Sequence, residues 1–181
     1  MDIALDSEFL ENGITIRPIS IALVREDGKE YYGINQNRNI LLVAARDKWL
    51  YDNVLSSLPL VQPVDPFFPV WDKAHPDFAH VKDTTRIALD VASFIQDTPN
   101  PSLWAFYAAY DHVLLAQLFG KMINLPAGIP MRTNDIAQEA ERLGNVRMPP
   151  MHDASQHNAL SDAREVMFRL KWLREYERGL L

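Results

Sequence analysis

The sequence predicts an α/β domain on one mixed sheet, an antiparallel three-strand meander followed by parallel strands, with helices on both faces. Three observations carry this reading. Near the start, three runs alternate imperfectly between apolar and polar residues and are joined by short turns, the pattern of a meander. The run Leu103-Trp104-Ala105-Phe106-Tyr107-Ala108 is continuously apolar, as a strand covered on both faces must be. Helical spacing before and after that run gives a strand–helix–strand–helix succession, which implies a sheet of mixed direction.

Taken in order, Ile3-Ala4-Leu5-Asp6-Ser7-Glu8-Phe9 is an apolar run ending in two carboxylates, and Glu11-Asn12-Gly13 turns the chain. Ile14, Ile16, Ile19, Ile21 and Leu23 mark a second strand over 14–24. Glu26-Asp27-Gly28-Lys29 is a hairpin turn of the Asp-Gly kind, leading into Glu30-Tyr31-Tyr32-Gly33-Ile34-Asn35. Residues 46–58 read as helix, because Trp49, Leu50, Val54, Leu55 and Leu58 recur at three- and four-residue spacing. From Pro59 to Pro76, five of the twelve prolines sit among Phe67, Phe68 and Trp71, which excludes helix and central strand. This segment reads as a loop whose aromatics pack on the domain, with a subunit contact or a cleft wall as the alternatives.

Asp83 caps a helix running to about Ile95, whose Ile87, Leu89, Val91, Ala92, Phe94 and Ile95 form a wide apolar surface. The buried strand over 103–108 follows, then a helix over 111–123 with Val113, Leu114, Leu118, Met122 and Ile123 on its apolar side. Met131 to Thr133 reads as a short edge strand and 134–143 as a short helix ended by Gly144. Residues 147–156 read as irregular. The last helix runs from about Ala159 to near Arg178, with Ala159, Ala163, Val166, Met167, Leu170 and Leu173 on one stripe.

Composition narrows the class. With 181 residues and no internal repeat, the chain reads as a single domain over 1–181. Zero cysteines exclude disulfides, zinc-thiolate sites and thiol nucleophiles. No apolar stretch nears the length of a membrane span and no leader pattern opens the chain, so a soluble, cytoplasmic protein is expected. A formal net charge of −6 argues against a protein that coats nucleic acid by charge alone. It leaves room for a nucleic-acid enzyme whose positive charge comes from bound metal.

The candidate chemistry starts on the first strand. Alternate strand residues share a face, so Asp6 and Glu8 point the same way, and two anions so close call for a cation. Carboxylate oxygens suit Mg²⁺ or Mn²⁺. Asp111 lies where the buried strand gives way to a helix, at the edge where open α/β sheets gather ligands, although taken alone an aspartate there is better explained by capping of the helix. Asp162 falls on the margin of the last helix's apolar stripe, and a carboxylate facing a sheet needs a partner. His157 stands five residues ahead of it, where a neutral imidazole can take a proton from water. His75, His80 and His152 read as loop residues without a role, and His112 is undecided.

These residues together resemble the motifs of the DEDDh-type 3′→5′ exonucleases of the ribonuclease-H-like fold: Asp6-x-Glu8, Asp111 after the central strand, and His157-x4-Asp162 leading the last helix. The segments Trp104-Ala105-Phe106-Tyr107-Ala108-Ala109-Tyr110-Asp111, Gln117-Leu118-Phe119-Gly120 and His157-Asn158-Ala159-Leu160-Ser161-Asp162-Ala163-Arg164 extend the likeness toward a small exoribonuclease group acting on single-stranded, adenylate-rich RNA. His112 departs from it, since a large aromatic is expected there. The resemblance implies two Mg²⁺ ions, replaceable by Mn²⁺, held by Asp6, Glu8, Asp111 and Asp162, with His157 as general base. It also implies release of nucleoside 5′-monophosphates from single-stranded RNA 3′ ends, with Ser7, Phe9 and Leu10 at the terminal nucleotide and Phe9, Tyr107 or Tyr110 as stacking surfaces. A homodimer stays open. A DNA exonuclease would use the same five residues, and a silent nucleic-acid-binding relative is the third reading, disfavoured because four carboxylates repel phosphate.

Overall fold

The structure, a computed structural model, describes residues 1–151 and 157–180, so the reading of His152 lies outside the described residues. Six strands form: β1 (Asp2–Glu11), β2 (Ile16–Arg25), β3 (Glu30–Asn35), β4 (Val81–Lys82), β5 (Ser102–Ala105) and β6 (Thr133–Asp135). They hydrogen-bond in the order β4-β3-β2-β1-β5-β6. β1, β2 and β3 pair antiparallel, as the meander predicts, while β5 joins β1, β6 joins β5 and β4 joins β3 in parallel. The Asp27-Gly28 turn closes β2 on β3, with Gly28 at φ 92°, a conformation that a side chain would strain.

Alternation along β1 sorts its side chains to two cores. Ile3 and Leu5 are fully buried on one face with Ile87, Val91 and Ile95 of α3 (Thr84–Gln96) and Leu114 and Leu115 of α4 (Ala109–Gln117). Ala4 and Leu10 face the other way, toward α1 (Arg38–Ala44), α2 (Lys48–Asn53), α5 (Ile136–Arg142) and α6 (Ala159–Glu177). Truncating Leu5 to Ala would cost about 2–5 kcal/mol, because neither core can collapse around a hole in the central strand. The helices therefore cover both faces of the mixed sheet, as expected.

Several elements differ from the sequence reading. Residues 46–58 do not make one helix: the Asp47 carboxylate accepts from the amides of Trp49 and Leu50 and starts α2 at Lys48, and a separate turn of 3₁₀ helix follows at Leu55–Ser57. α1, capped by Asn37, and the two-residue β4 carry too little periodic signal to be read. β5 stops at Ala105 instead of reaching residue 108, because the Asp135 carboxylate takes the amides of Tyr107 (3.2 Å) and Ala108 (3.1 Å) out of the ladder. Tyr107 consequently sits at φ 58°. The helix expected over 111–123 ends at Gln117, with Gly120 at φ 86° breaking it ahead of a short turn at Met122–Asn124. β6 lies two residues beyond the expected edge strand, in register with Leu103, Trp104 and Ala105. Among the described residues no helix is long and apolar enough to cross a membrane.

In the proline-rich segment, Leu60, Val64 and Trp71 pack into the core while Phe67 and Phe68 stand exposed under the guanidinium groups of Arg46 and Arg38. The expectation that its aromatics pack on the domain therefore holds for Trp71 and not for the two phenylalanines.

Candidate active site

At the carboxyl ends of β1 and β5 the structure opens a cleft of about 390 Å³ lined by Asp6, Ser7, Glu8, Phe9, Phe106, Tyr107, Tyr110, Asp111, Met151, His157, Asp162, Glu165, Val166 and Arg169. Every residue singled out from the sequence is in that lining except Leu10. Leu10 is buried in the core cluster that also holds Ala4 and Ile19, on the α6 side of the sheet. Its side chain does not line the cleft.

Each functional side chain is delivered by the end of an element. Asp6 and Glu8 come from β1. Asp111 stands in the first turn of α4, buried, and accepts a 2.6 Å hydrogen bond from the Ser7 hydroxyl, which ties α4 to β1. α4 has no capping side chain of its own at Ala108, and Asp135 supplies one from across β6 by taking the two amides ahead of it. Asp162 stands in the first turn of α6, whose cap is Asn158. Glu165, Val166 and Arg169 follow on the same face at helical spacing.

His157 is held by its backbone. Its amide donates to Asp162 Oδ2 at 2.8 Å, its carbonyl accepts from the Ser57 hydroxyl at 3.1 Å, and its φ is 66°. A non-glycine residue in that region persists only where its surroundings fix it. The Trp49 indole meets the imidazole edge-on, with centroids 4.7 Å apart. On the opposite side, Phe9 and Tyr110 stack at 5.4 Å, and Phe106 leans on Tyr107 at 4.2 Å.

The acids disturb one another. Burial, then the charges of Asp111, Glu8 and Asp162, hold the Asp6 carboxyl well above the usual aspartate range. Burial and the neighbouring Asp162 and Asp111 push Glu8 up to about 8. Burial raises Asp111 to about 6 against the opposing hydrogen bond from Ser7. Such a cluster is costly to ionise alone and favourable around a cation. Glu8, His157 and Asp162 each offer a ligand atom, all within 4.8 Å of one another. The donor set of hard oxygens with one imidazole nitrogen fits a small divalent ion. Asp6 and Asp111 share the cleft outside that tightest group.

The other histidines serve the fold. His75 accepts from the Asp77 amide, His80 packs on Tyr32, and His112 meets Thr133 at 3.0 Å on the far side of α4 from the cleft. Sequence reasoning missed Trp49, Asp135, Glu165 and Arg169. The last two were within reach, at three and seven residues beyond Asp162 on the helix; the first two act through contacts distant in sequence.

No protein-family model matches the chain. Two curated proteins of Mycobacterium tuberculosis, from strain CDC 1551 / Oshkosh and strain ATCC 25618 / H37Rv, are each named a 3′-5′ exoribonuclease. Each is 36% identical over 168 residues, covering 92% of this chain and 89% of the relative. Among solved structures, E. coli Exonuclease I in complex with a dT13 oligonucleotide matches with a TM-score of 0.57 at 12% identity, covering 99% of this chain and 42% of that one. A second structure of Exonuclease I gives 0.53 at 12% identity, covering 98% and 43%. This chain thus spans less than half of Exonuclease I, and at that identity the likeness speaks to the shared fold alone.

Proposed function

Because the chain belongs to the 3′-5′ exoribonuclease family of its two mycobacterial relatives, we propose that it hydrolyses single-stranded RNA from the 3′ end, releasing nucleoside 5′-monophosphates one at a time. The observation that carries this reading is the meeting, in one cleft, of Asp6, Glu8, Asp111 and Asp162 with His157 held against Asp162. Asp6, Glu8 and Asp162 would hold one divalent ion and Asp111 with Asp6 a second. Bound there, such ions lower the pKa of water and steady the departing 3′ oxygen.

The chain's own groups do the rest. His157, with its backbone clamped and its ring braced by Trp49, accepts the proton of the attacking water. Ser7 orients Asp111. Phe9, Tyr107 and Tyr110 offer aromatic surface to unpaired bases, which suits a protein of charge −6 that cannot grip many phosphates. A cytoplasmic location and a single exonuclease domain over 1–181 complete the proposal. The test is a degradation assay on single-stranded RNA, blunt duplex RNA and single-stranded DNA with Mg²⁺ or Mn²⁺. Shortening of single-stranded RNA in preference to the other two supports the reading, and equal or faster loss of DNA would overturn the choice of RNA.

A further inference from the structure

Hydrolysis of a phosphodiester places the attacking water and the departing oxygen on opposite sides of the phosphorus. In this cleft the side of the water is marked by His157. Its neighbour Asn158 reaches Tyr32 of β3, and Ser57 and Trp49 enclose it, so it stands over the β2–β3 side of β1. The nucleotide upstream of the scissile bond must therefore leave over the other side of β1, where Phe106 and Tyr107 follow the end of β5.

That side holds an Arg without a conventional partner. Arg169 is the one Arg or Lys among the described residues of the lining. Arg25, Arg86, Arg142, Arg164 and Arg174 are all paired with carboxylates. Arg169 lies instead over the Phe106 ring at 5.6 Å, and its Nε is buried without a hydrogen-bond partner among the described residues. A guanidinium braced on an aromatic face keeps its forked donors free for phosphate. Tyr107, next along the chain, leans on Phe106 at 4.2 Å, is 69% exposed, and has its backbone held at φ 58° by the two hydrogen bonds its turn makes to Asp135.

We propose that Arg169, braced by Phe106, receives the phosphate of the nucleotide upstream of the scissile bond, and that Tyr107 stacks on that nucleotide's base. This subsite rests on the exonuclease reading and goes beyond it: it makes the enzyme bind its substrate across the bond it cuts, and it gives Arg169 a role in affinity for the chain that remains rather than for the nucleotide released.

The experiment compares two substrates in the metal-loaded full chain. One is a short single-stranded oligoribonucleotide. The other is the 4-nitrophenyl ester of a nucleoside 5′-phosphate, which carries a scissile phosphate and a terminal nucleoside but no upstream phosphate. Arg169→Gln is expected to lower kcat/KM on RNA by roughly 10- to 100-fold more than on the ester, mainly through KM, as loss of a charged phosphate contact should. The slope of log KM against log salt on RNA should flatten by about 0.7, the release of counterions from one single-strand phosphate. Arg169→Lys, which keeps the charge, should keep that slope. Equal losses on ester and RNA, an undiminished RNA rate, or a salt slope untouched in Arg169→Gln would each overturn the subsite. Failure of the unaltered chain to shorten RNA, with the ester still hydrolysed, would overturn the exonuclease reading and the subsite with it.

Discussion

Glu8→Gln should stabilise the metal-free protein, by a margin that grows as pH rises through the acidic range to about pH 8. Glu8 is 8% exposed, and its carboxyl is pushed from the ordinary glutamate value of 4.5 up to about 8. A group whose pKa is higher in the folded chain supports folding below its unfolded value and loses that support as pH rises toward the folded one. The window here runs from about pH 4.5 to about pH 8. At roughly 1.4 kcal/mol per pKa unit, keeping Glu8 in its site at pH 8 costs about 4 kcal/mol relative to pH 4. Gln fills the same space without charge, so the variant escapes that loss. For a domain of this size 1 kcal/mol corresponds to about 2–4 °C, so the gap in melting temperature should open from near zero at about pH 4 to about 8–16 °C at about pH 8 in the presence of chelator. Thermal melts by circular dichroism on chelated protein, with Mn²⁺ added back in a second series, make the measurement. Melting temperatures of the two chains that fall in parallel between pH 5 and pH 8 would refute the reasoning, since Glu8 would then not be carrying the strain of the cluster.

Other outcomes follow from the same geometry. Chelation, or Asp162→Ala, should abolish RNA cleavage while leaving the circular dichroism spectrum intact; undiminished cleavage by Asp162→Ala would remove the acid cluster from the mechanism. His157→Ala should lower kcat by roughly 10²–10⁴-fold and flatten the rise of kcat with pH. An Ala variant whose pH–rate profile keeps its shape would hand the proton to another group. Asp135→Ala releases the amides of Tyr107, Ala108 and Ala137 together. It should destabilise the fold by about 2–4 kcal/mol and raise KM for RNA, and a variant with unaltered stability would show that the turn holds itself.

What the sequence made legible was what periodicity and turn chemistry encode locally. The meander, the common face of Asp6 and Glu8, and the first-turn positions of Asp111 and Asp162 all follow from spacing. What it concealed depends on partners far along the chain. Nothing near Tyr107 announces that β5 stops before it, because the carboxylate that ends the ladder is Asp135, 28 residues on. Leu10 has the spacing of a cleft residue, two beyond Glu8, yet it is buried in the core with Ala4 and Ile19. Trp49 reads as one more apolar residue of a helix until Ser57 and Asp162 bring His157 against it. α1 and β4 are too short for any pattern to stand out from their surroundings.

The central claim, stepwise removal of nucleotides from a free single-stranded 3′ end, is tested most directly with a 5′-labelled RNA hairpin carrying a 3′ tail. The account predicts a ladder of products shortening one nucleotide at a time, 5′-monophosphates as the released species, and a halt near the edge of the duplex, where paired bases can no longer reach the aromatic walls of the cleft. Internal cuts, or rapid digestion through the stem, would contradict it.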